Sequence, residues 1–394
     1  MRKSFITIGC AIVICAVIST GCHKNENNSQ KWMRTFGGKY TDCGYSVQQT
    51  SDGGYIIAGY TASFGAGWTD VYLIKTDANG NTVWTKTFGG SGEEMGYSAQ
   101  QTTDGGYIIV GYTSSFGAGG DDVYLIKTDE NGNQVWTKTF GGTGNDCGYS
   151  VQQTSDGGFI IAGRTNILHT ASSYIYLIKT DANGDTSWTK TFSGTYDNGY
   201  SVEQISDGGY IILGTTSLFG YSESDVYLIK TDSNGNTIWA KTFGGTYSDD
   251  CYSVQQTSDN GFIIAGQTYS YGAGRSDVYL IKTDENGNQI WTKTFGGTNY
   301  DCGYSVQQTS DGGYIIAGYT YSYGTGDADV YLIKTDANGN RIWYNTFGRS
   351  YWEEAYSVQQ TSDGGYIIAG YTHSYGAGGG DVYLIKTDAS GHTE

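Results

Sequence analysis

Seven carboxylates recur at one place along this chain: Asp42, Glu94, Asp146, Asp197, Asp249, Asp301 and Glu353, each three residues before a Tyr. Acids at such a spacing either cap their own loops by accepting backbone hydrogen bonds or converge as candidate ligands for a cation. Gathered at one mouth, seven like charges would each raise the cost of ionising the others, and a counter-cation would offset that cost. Oxygen-only donors suit a hard divalent ion, so calcium is the one metal these residues imply, held off-centre by two or three neighbours or through water. Other chemistry is scarce. Of four His, two lie near the ends at His23 and His392, which leaves His169 and His373 as imidazoles for any enzymatic reading. No HExxH, GxSxG, Walker loop or CxxC is present, and no cofactor site is expected.

The elements that position these acids follow from a repeat. The phrase Tyr-Ser-Val-Gln-Gln-Thr-Ser-Asp-Gly-Gly-Tyr-Ile-Ile-Ala-Gly recurs, with small changes, from Tyr45, Tyr97, Tyr149, Tyr200, Tyr252, Tyr304 and Tyr356. A Trp stands at 32, 84, 136, 188, 239, 291 and 343, so two markers share a period of 51 or 52 residues. In the first repeat, Tyr45 to Thr50, Tyr55 to Thr61, Val71 to Thr76 and Thr82 to Phe88 read as strands. Asp52-Gly53-Gly54 and Asn79-Gly80 between them are hairpin signals. Apolar runs such as Val71-Tyr72-Leu73-Ile74 predict strands covered on both faces. Four such strands, seven times over, predict an all-β chain: a seven-bladed β-propeller. Its chain ends support a closed ring. The chain offers a lone strand at Lys31 to Phe36 and stops after the third strand of the last repeat, so the first should complete the last blade.

The segment before the ring has its own logic. Arg2 and Lys3 precede an apolar stretch from Phe5 to Ile18, which ends in Ser19-Thr20-Gly21-Cys22. That ending resembles a bacterial lipobox, although Ser19 stands where Leu, Val or Ile is usual. Residues 1–22 are therefore expected to be an export signal with lipidation at Cys22, residues 23–30 a polar tether, and residues 31–394 the propeller. Cys43, Cys147, Cys251 and Cys302 are expected at matching places in repeats 1, 3, 5 and 6. Free thiols are the first reading, with a disulfide open for Cys251 and Cys302.

Lys75-Thr76-Asp77-Ala78-Asn79-Gly80-Asn81-Thr82-Val83-Trp84 resembles the tryptophan-docking motif of quinoprotein-like propellers, whose Asp, Gly and Trp lock neighbouring blades. The whole repeat is similar to the Gly-rich repeats of bacterial and archaeal exported propellers, and in blade motif and anchoring to an eight-bladed outer-membrane assembly lipoprotein. The blade count differs from that protein. Quinoprotein dehydrogenases usually have eight blades and a vicinal Cys pair, and with neither here a quinone is not expected.

A net charge of −17 with only 22 basic residues excludes a nucleic-acid partner. Cations, glycans or protein surfaces fit better. Aromatics at one position of the loop after the second strand, Phe64, Phe116, Phe219, Tyr271, Tyr323 and Tyr375, with Leu168 in repeat 3, either pin that loop or offer stacking surfaces. Symmetry breaks at 166–173 and at Arg349-Ser350-Tyr351-Trp352. The sequence thus predicts a non-enzymatic binding or scaffold propeller of the bacterial cell envelope. It touches the membrane through its N-terminal lipid, and its acidic loop face takes a cation, glycan or protein. The alternatives are an exported polysaccharide lyase or hydrolase using ring carboxylates with His169 or His373, and a purely structural envelope protein.

Overall fold

The computed structural model describes residues 31–166, 172–192, 197–217 and 223–393. The export signal, Cys22, the tether, His169, Leu168 and Phe219 lie outside the described residues. β1 (Trp32–Phe36) is followed by the first complete blade, β2 (Asp42–Gln49), β3 (Tyr55–Thr61), β4 (Asp70–Thr76) and β5 (Thr82–Phe88). The same plan repeats in chain order to β28 (Asp381–Thr387), giving seven antiparallel four-stranded sheets. Left-handed backbone at Gly53 (φ 83°) and Gly80 (φ 74°) makes the two tight reversals of the first blade, a conformation that costs glycine nothing.

The third strand is buried along its whole length in five of the seven blades, as in β4. Its penultimate residue is Lys75, whose ammonium is held 2.8 Å from Asp52 in the turn of the same blade, and the pair recurs in all seven blades. Pairing is what makes a buried ammonium tolerable, and it holds the Asp52 carboxyl down at about 2. Between blades lie seven apolar clusters, such as Ile56, Ala58, Val71 and Leu73 against Tyr107, Ile109, Tyr124 and Ile126.

The outer strand contributes the lock between blades. A Cβ at Gly132 would lie 2.7 Å from the Trp84 ring, so the indole of one blade packs on the bare turn glycine of the next. Trp343 meets Gly391 and Trp32 meets Gly80 in the same way, which carries the lock across the chain ends. β1 pairs antiparallel with β28, from Trp32 opposite Lys386 to Phe36 opposite Val382. The ring closes with the N-terminal strand as the outer strand of the last blade.

All four described cysteines are free and buried, and burial raises the thiol of Cys147 to about 12. Their positions match less well than the repeat suggests. Cys43, Cys147 and Cys302 lie opposite Tyr60, Arg164 and Tyr319, whereas Cys251 lies opposite Gly266, one place further along its strand.

Candidate functional site

The innermost strand of each blade begins at, or one residue after, one of the seven carboxylates. Asp42, Glu94, Asp146, Asp197, Asp249, Asp301 and Glu353 are each 0% exposed. Glu94 accepts hydrogen bonds from the Gly90 N–H at 2.8 Å, the Ser115 N–H at 3.1 Å and the Thr113 hydroxyl at 2.7 Å. Asp301 accepts from the Gly297 N–H and from the hydroxyls of Thr320 and Ser322. Each backbone N–H also donates to the preceding blade, as Asp42 does to Gly380 O at 2.8 Å and Asp301 to Ser276 O at 2.9 Å. These acids thus tie together the loops of the upper face.

All but Asp197 also meet an aspartate at the head of the preceding blade's third strand; before Asp197 that strand begins at Ser173. Gly89 lies between Asp70 and Glu94, and any Cβ there would collide with both carboxylates. Burial, and then repulsion from Asp249, Asp301 or Glu353, raises the partners Asp225, Asp277 and Asp329. Burial pushes Asp381, beside Asp42, up to about 6. Among the described residues, Oδ1 of Asp146 and Oδ1 of Asp249 have no hydrogen-bond partner.

The same strands line the axis. In every blade the residue after the carboxylate-led Gly, Cys or Ala position forms a β-bulge, and its Tyr turns inward. Tyr45, Tyr97, Tyr149, Tyr200, Tyr252, Tyr304 and Tyr356 make a continuous ring with neighbouring centroids 5.0 to 5.4 Å apart. Beneath it, Ser46 and its equivalents accept hydrogen bonds from the next innermost strand, as from the Ala99 N–H at 3.3 Å. Lower still, Gln48, Gln100, Gln152, Glu203, Gln255, Gln307 and Gln359 each offer a side-chain oxygen to a backbone N–H of the next blade, at 2.5 to 2.7 Å. Sequence reading took Tyr-Ser-Val-Gln-Gln only as a marker of the repeat. Its five residues in fact build the axial seams, and the signal available was the one charged departure, Glu203 in Ser201-Val202-Glu203-Gln204. Burial pushes the Glu203 carboxyl up to about 7.

On the upper face the repeats diverge. Two adjoining hollows share Arg275. One, of about 530 Å³, is lined by Glu223, Tyr247, Ser248, Asp250 and Tyr269, and the other, of about 590 Å³, by Asn299, Tyr300, Tyr319, Tyr321 and Asp327. Tyr269, Tyr300, Tyr321 and Tyr319 form a chain of ring contacts at 6.5, 6.3 and 5.7 Å. The Arg275 guanidinium lies 5.2 Å from the Tyr300 centroid and donates to its hydroxyl at 3.2 Å. Among the described residues Arg275 forms no ion pair. Asp250 is held by the Ser224 hydroxyl at 2.6 Å, and burial raises its pKa.

A model of the family described as outer membrane protein assembly factor BamB matches residues 70–345, well over half of the chain. The chain belongs to that family. A curated relative, the regulatory protein FlaEY of Caulobacter vibrioides, is 28% identical over 165 residues, which are 35% of this chain and 17% of that protein. Among solved structures, the Neurospora crassa Pan2 WD40 domain is 10% identical with a TM-score of 0.55, covering 91% of this chain and 96% of that one. Puromycin hydrolase is 10% identical, with a TM-score of 0.53 over 89% of this chain and 52% of that one. YCF48 bound to D1 peptide is 10% identical, with a TM-score of 0.51 over 90% and 95%. These likenesses are of fold.

Within this BamB-family ring, the loop aromatics turn back on their own blades. Phe64, Phe116, Tyr271, Tyr323 and Tyr375 pack on Tyr72, Tyr124, Tyr279, Tyr331 and Tyr383 at 5.4 to 5.9 Å. His373 bonds the Tyr371 hydroxyl at 2.7 Å. The second region of broken symmetry does gather polar groups: Trp352 Nε1 donates to Glu354 at 2.8 Å, and the Tyr356 hydroxyl donates to the same carboxylate.

Proposed function

We propose that this chain is a non-enzymatic binding propeller of the bacterial cell envelope. In this reading it is exported, anchored by a lipid on Cys22, and takes an extended segment of another protein on its upper loop face. The observation that carries the reading is the tyrosine-lined pair of hollows joined at Arg275. Tyr rings with polar tips offer large contact area at low entropic cost, and Arg and Tyr are the residues that most often dominate protein contacts. Glu223, Asp250 and Asp327 beside Arg275 give the hollows both signs of charge, which matches a polypeptide better than a uniformly neutral glycan. The family description as an assembly factor and the peptide bound by YCF48 support a protein ligand. Among the described residues neither hollow is lined by a His, which favours binding over a lyase or hydrolase.

The seven carboxylates enter this proposal as the anchors of the ligand-bearing loops. Where six of them, all but Asp197, meet an Asp of the preceding blade, the pair is also the proposed place for a cation such as calcium. Residues 23–394, prepared without the lipid, should capture an envelope protein in pull-downs, and Arg275→Ala/Tyr300→Ala should lose it while melting like the parent. Capture unaffected by that double change, or a ligand found only on glycan arrays, would reject the protein-binding site.

A further inference from the structure

The lower mouth of the axial channel lies on the far side of the tyrosine ring from the proposed protein-binding face, and its chemistry is independent of that reading. The cavity holds about 260 Å³ and is bordered by the Val47 position of each blade, with Ala99 in the second, and by the ring of six glutamines and Glu203. A backbone N–H can only donate, so each glutamine that caps one must face it with Oε1. The amide orientation is therefore fixed, and every Nε2 group in this ring is left toward the lumen. Among the described residues none of those Nε2 groups donates to a protein acceptor. Six primary amides thus present their N–H groups around one axis, over an apolar border.

Glu203 on β14 (Asn198–Gln204) keeps the seam intact, because its Oε2 accepts the Gln256 N–H at 2.7 Å just as a glutamine oxygen would. Among the described residues its second oxygen has no protein partner. We propose that this mouth is a carboxylate-binding site, in which the glutamine amides hold the ligand's oxygens and Glu203, in its acid form, shares its proton with the ligand. A neutral carboxylic acid can donate its proton in a hydrogen bond to a carboxylate where two charges side by side would repel, the same logic that couples paired catalytic acids. A sulfate is too weak a base to take that share.

Burial places Glu203 at about 7, so its acid form is available near neutral pH while a ligand carboxylate stays ionised. No charged neighbour sets that value. Arg164 and Lys179 on the blade before it, and Asp249 and Asp250 on the blade after it, exert no pull on Glu203; the only opposing influence is the Gln256 N–H. Lys179 is spent on Asp156 at 2.9 Å.

The test is a titration of residues 23–394 with ¹³C-acetate, followed by NMR from pH 5.5 to 8.5, with acetamide and sulfate as controls. Acetate affinity in the parent should fall about tenfold per pH unit above roughly pH 7, since binding then requires uptake of one proton. Glu203→Gln should bind acetate with no pH dependence over that range. Gln255→Glu keeps the backbone bond, as Glu203 does, but replaces a donor with a second acid, and should weaken binding at least about tenfold at pH 7. A peptide with a free C-terminus that outbinds acetate, and loses the advantage on amidation, would assign the site to a chain end; acetate binding without that gain assigns it to a small free acid. No acetate binding, equal binding of acetamide, sulfate with the same pH profile, or a parent-like profile in Glu203→Gln each overturns the proposal. Pull-down of the loop-face ligand should be unchanged in Glu203→Gln, so failure here and failure of the protein-binding site are told apart.

Discussion

Removing the closure should open the ring, and the size of the effect can be worked from one indole. Trp32 is 8% exposed, makes an edge contact with Tyr55 at 5.8 Å, and lies over the turn glycine of the first blade. Truncating a buried aromatic of this kind costs about 3 to 5 kcal/mol. That is a large share of the roughly 5 to 15 kcal/mol that stabilises an ordinary domain. Gly80→Ala offers an independent handle. It meets two penalties, namely strain of roughly 1 to 2 kcal/mol at φ 74° and a collision of its Cβ with the Trp32 ring at 2.7 Å. In a Trp32→Ala background only the strain remains, so the double variant should be less destabilised than the sum of the singles. Deleting Lys31 to Phe36 altogether also removes the Lys31 to Asp388 ion pair at 2.7 Å and bares β28 from Val382 to Lys386 as an open edge. Urea unfolding followed by far-UV circular dichroism, with light scattering for association, reads all four forms; Val83→Ala, on an exposed side chain, is the control and should stay within about 0.5 kcal/mol. A deletion as stable and as monomeric as the parent would refute the closure, and additive Trp32 and Gly80 effects would refute the contact.

Three further outcomes are expected. Wild-type protein should incorporate labelled fatty acid and partition into detergent, and Cys22→Ala should do neither; export of unlabelled, soluble wild-type protein would reject the anchor. Asp381, raised by burial from 3.8 to about 6, is disfavoured as an anion in the folded state, so its contribution to stability is lost as pH rises from about 4 to about 6 and stays lost above. Asp381→Asn keeps an acceptor for the Ala377 N–H and should gain about 1 to 2 kcal/mol on the parent at pH 7.5 after allowance for solvent screening, with no gain at pH 3.5. Equal gains at both pH values would show the effect is not electrostatic. Calcium should raise the melting temperature of the parent by about 2 °C and that of Asp249→Asn/Asp301→Asn by less, because the changes remove the charge facing Asp225 and Asp277; equal shifts would leave these residues as loop anchors alone.

The fold was legible because its signals are local. Asn79-Gly80 and Asp52-Gly53-Gly54 dictate hairpins, Val71-Tyr72-Leu73-Ile74 dictates a strand covered on both faces, and the spare strand at Lys31 to Phe36 has one vacancy to fill. What the sequence hid were contacts between repeats. Nothing in the Ser-Val-Gln-Gln phrase says that Ser46 and Gln48 reach the next blade, because that depends on how two sheets face each other. The carboxylates illustrate the middle case: their recurrence was plain, but their complete burial follows from loops folding back over them, with Ser115 and Thr113 returning to Glu94 from about twenty residues away. Arg275 and its tyrosines escaped notice because Arg275 and Tyr300 stand at loop positions that vary from repeat to repeat while Tyr319 lies in a repeated strand, and only the ring brings these positions of adjacent blades together.

Near-identity of the repeats also constrains where recognition can occur. A contact made identically seven times has sevenfold symmetry, so outside the axis it offers a ligand seven equal places and no preference among them. The Trp–Gly locks and the Lys–Asp pairs are of this kind, and a frame is what such repetition builds. A specific off-axis site has to arise where one blade departs from the rest, which is where Arg275, Tyr300 and Glu223 stand. On the axis the argument reverses. There all seven blades face one ligand, repetition multiplies donors instead of sites, and a single departure is enough to give the ring a direction. Glu203 is that departure, and its exchange for the glutamine found in the other six blades should leave a ring of amides that still binds an acid but no longer follows a proton.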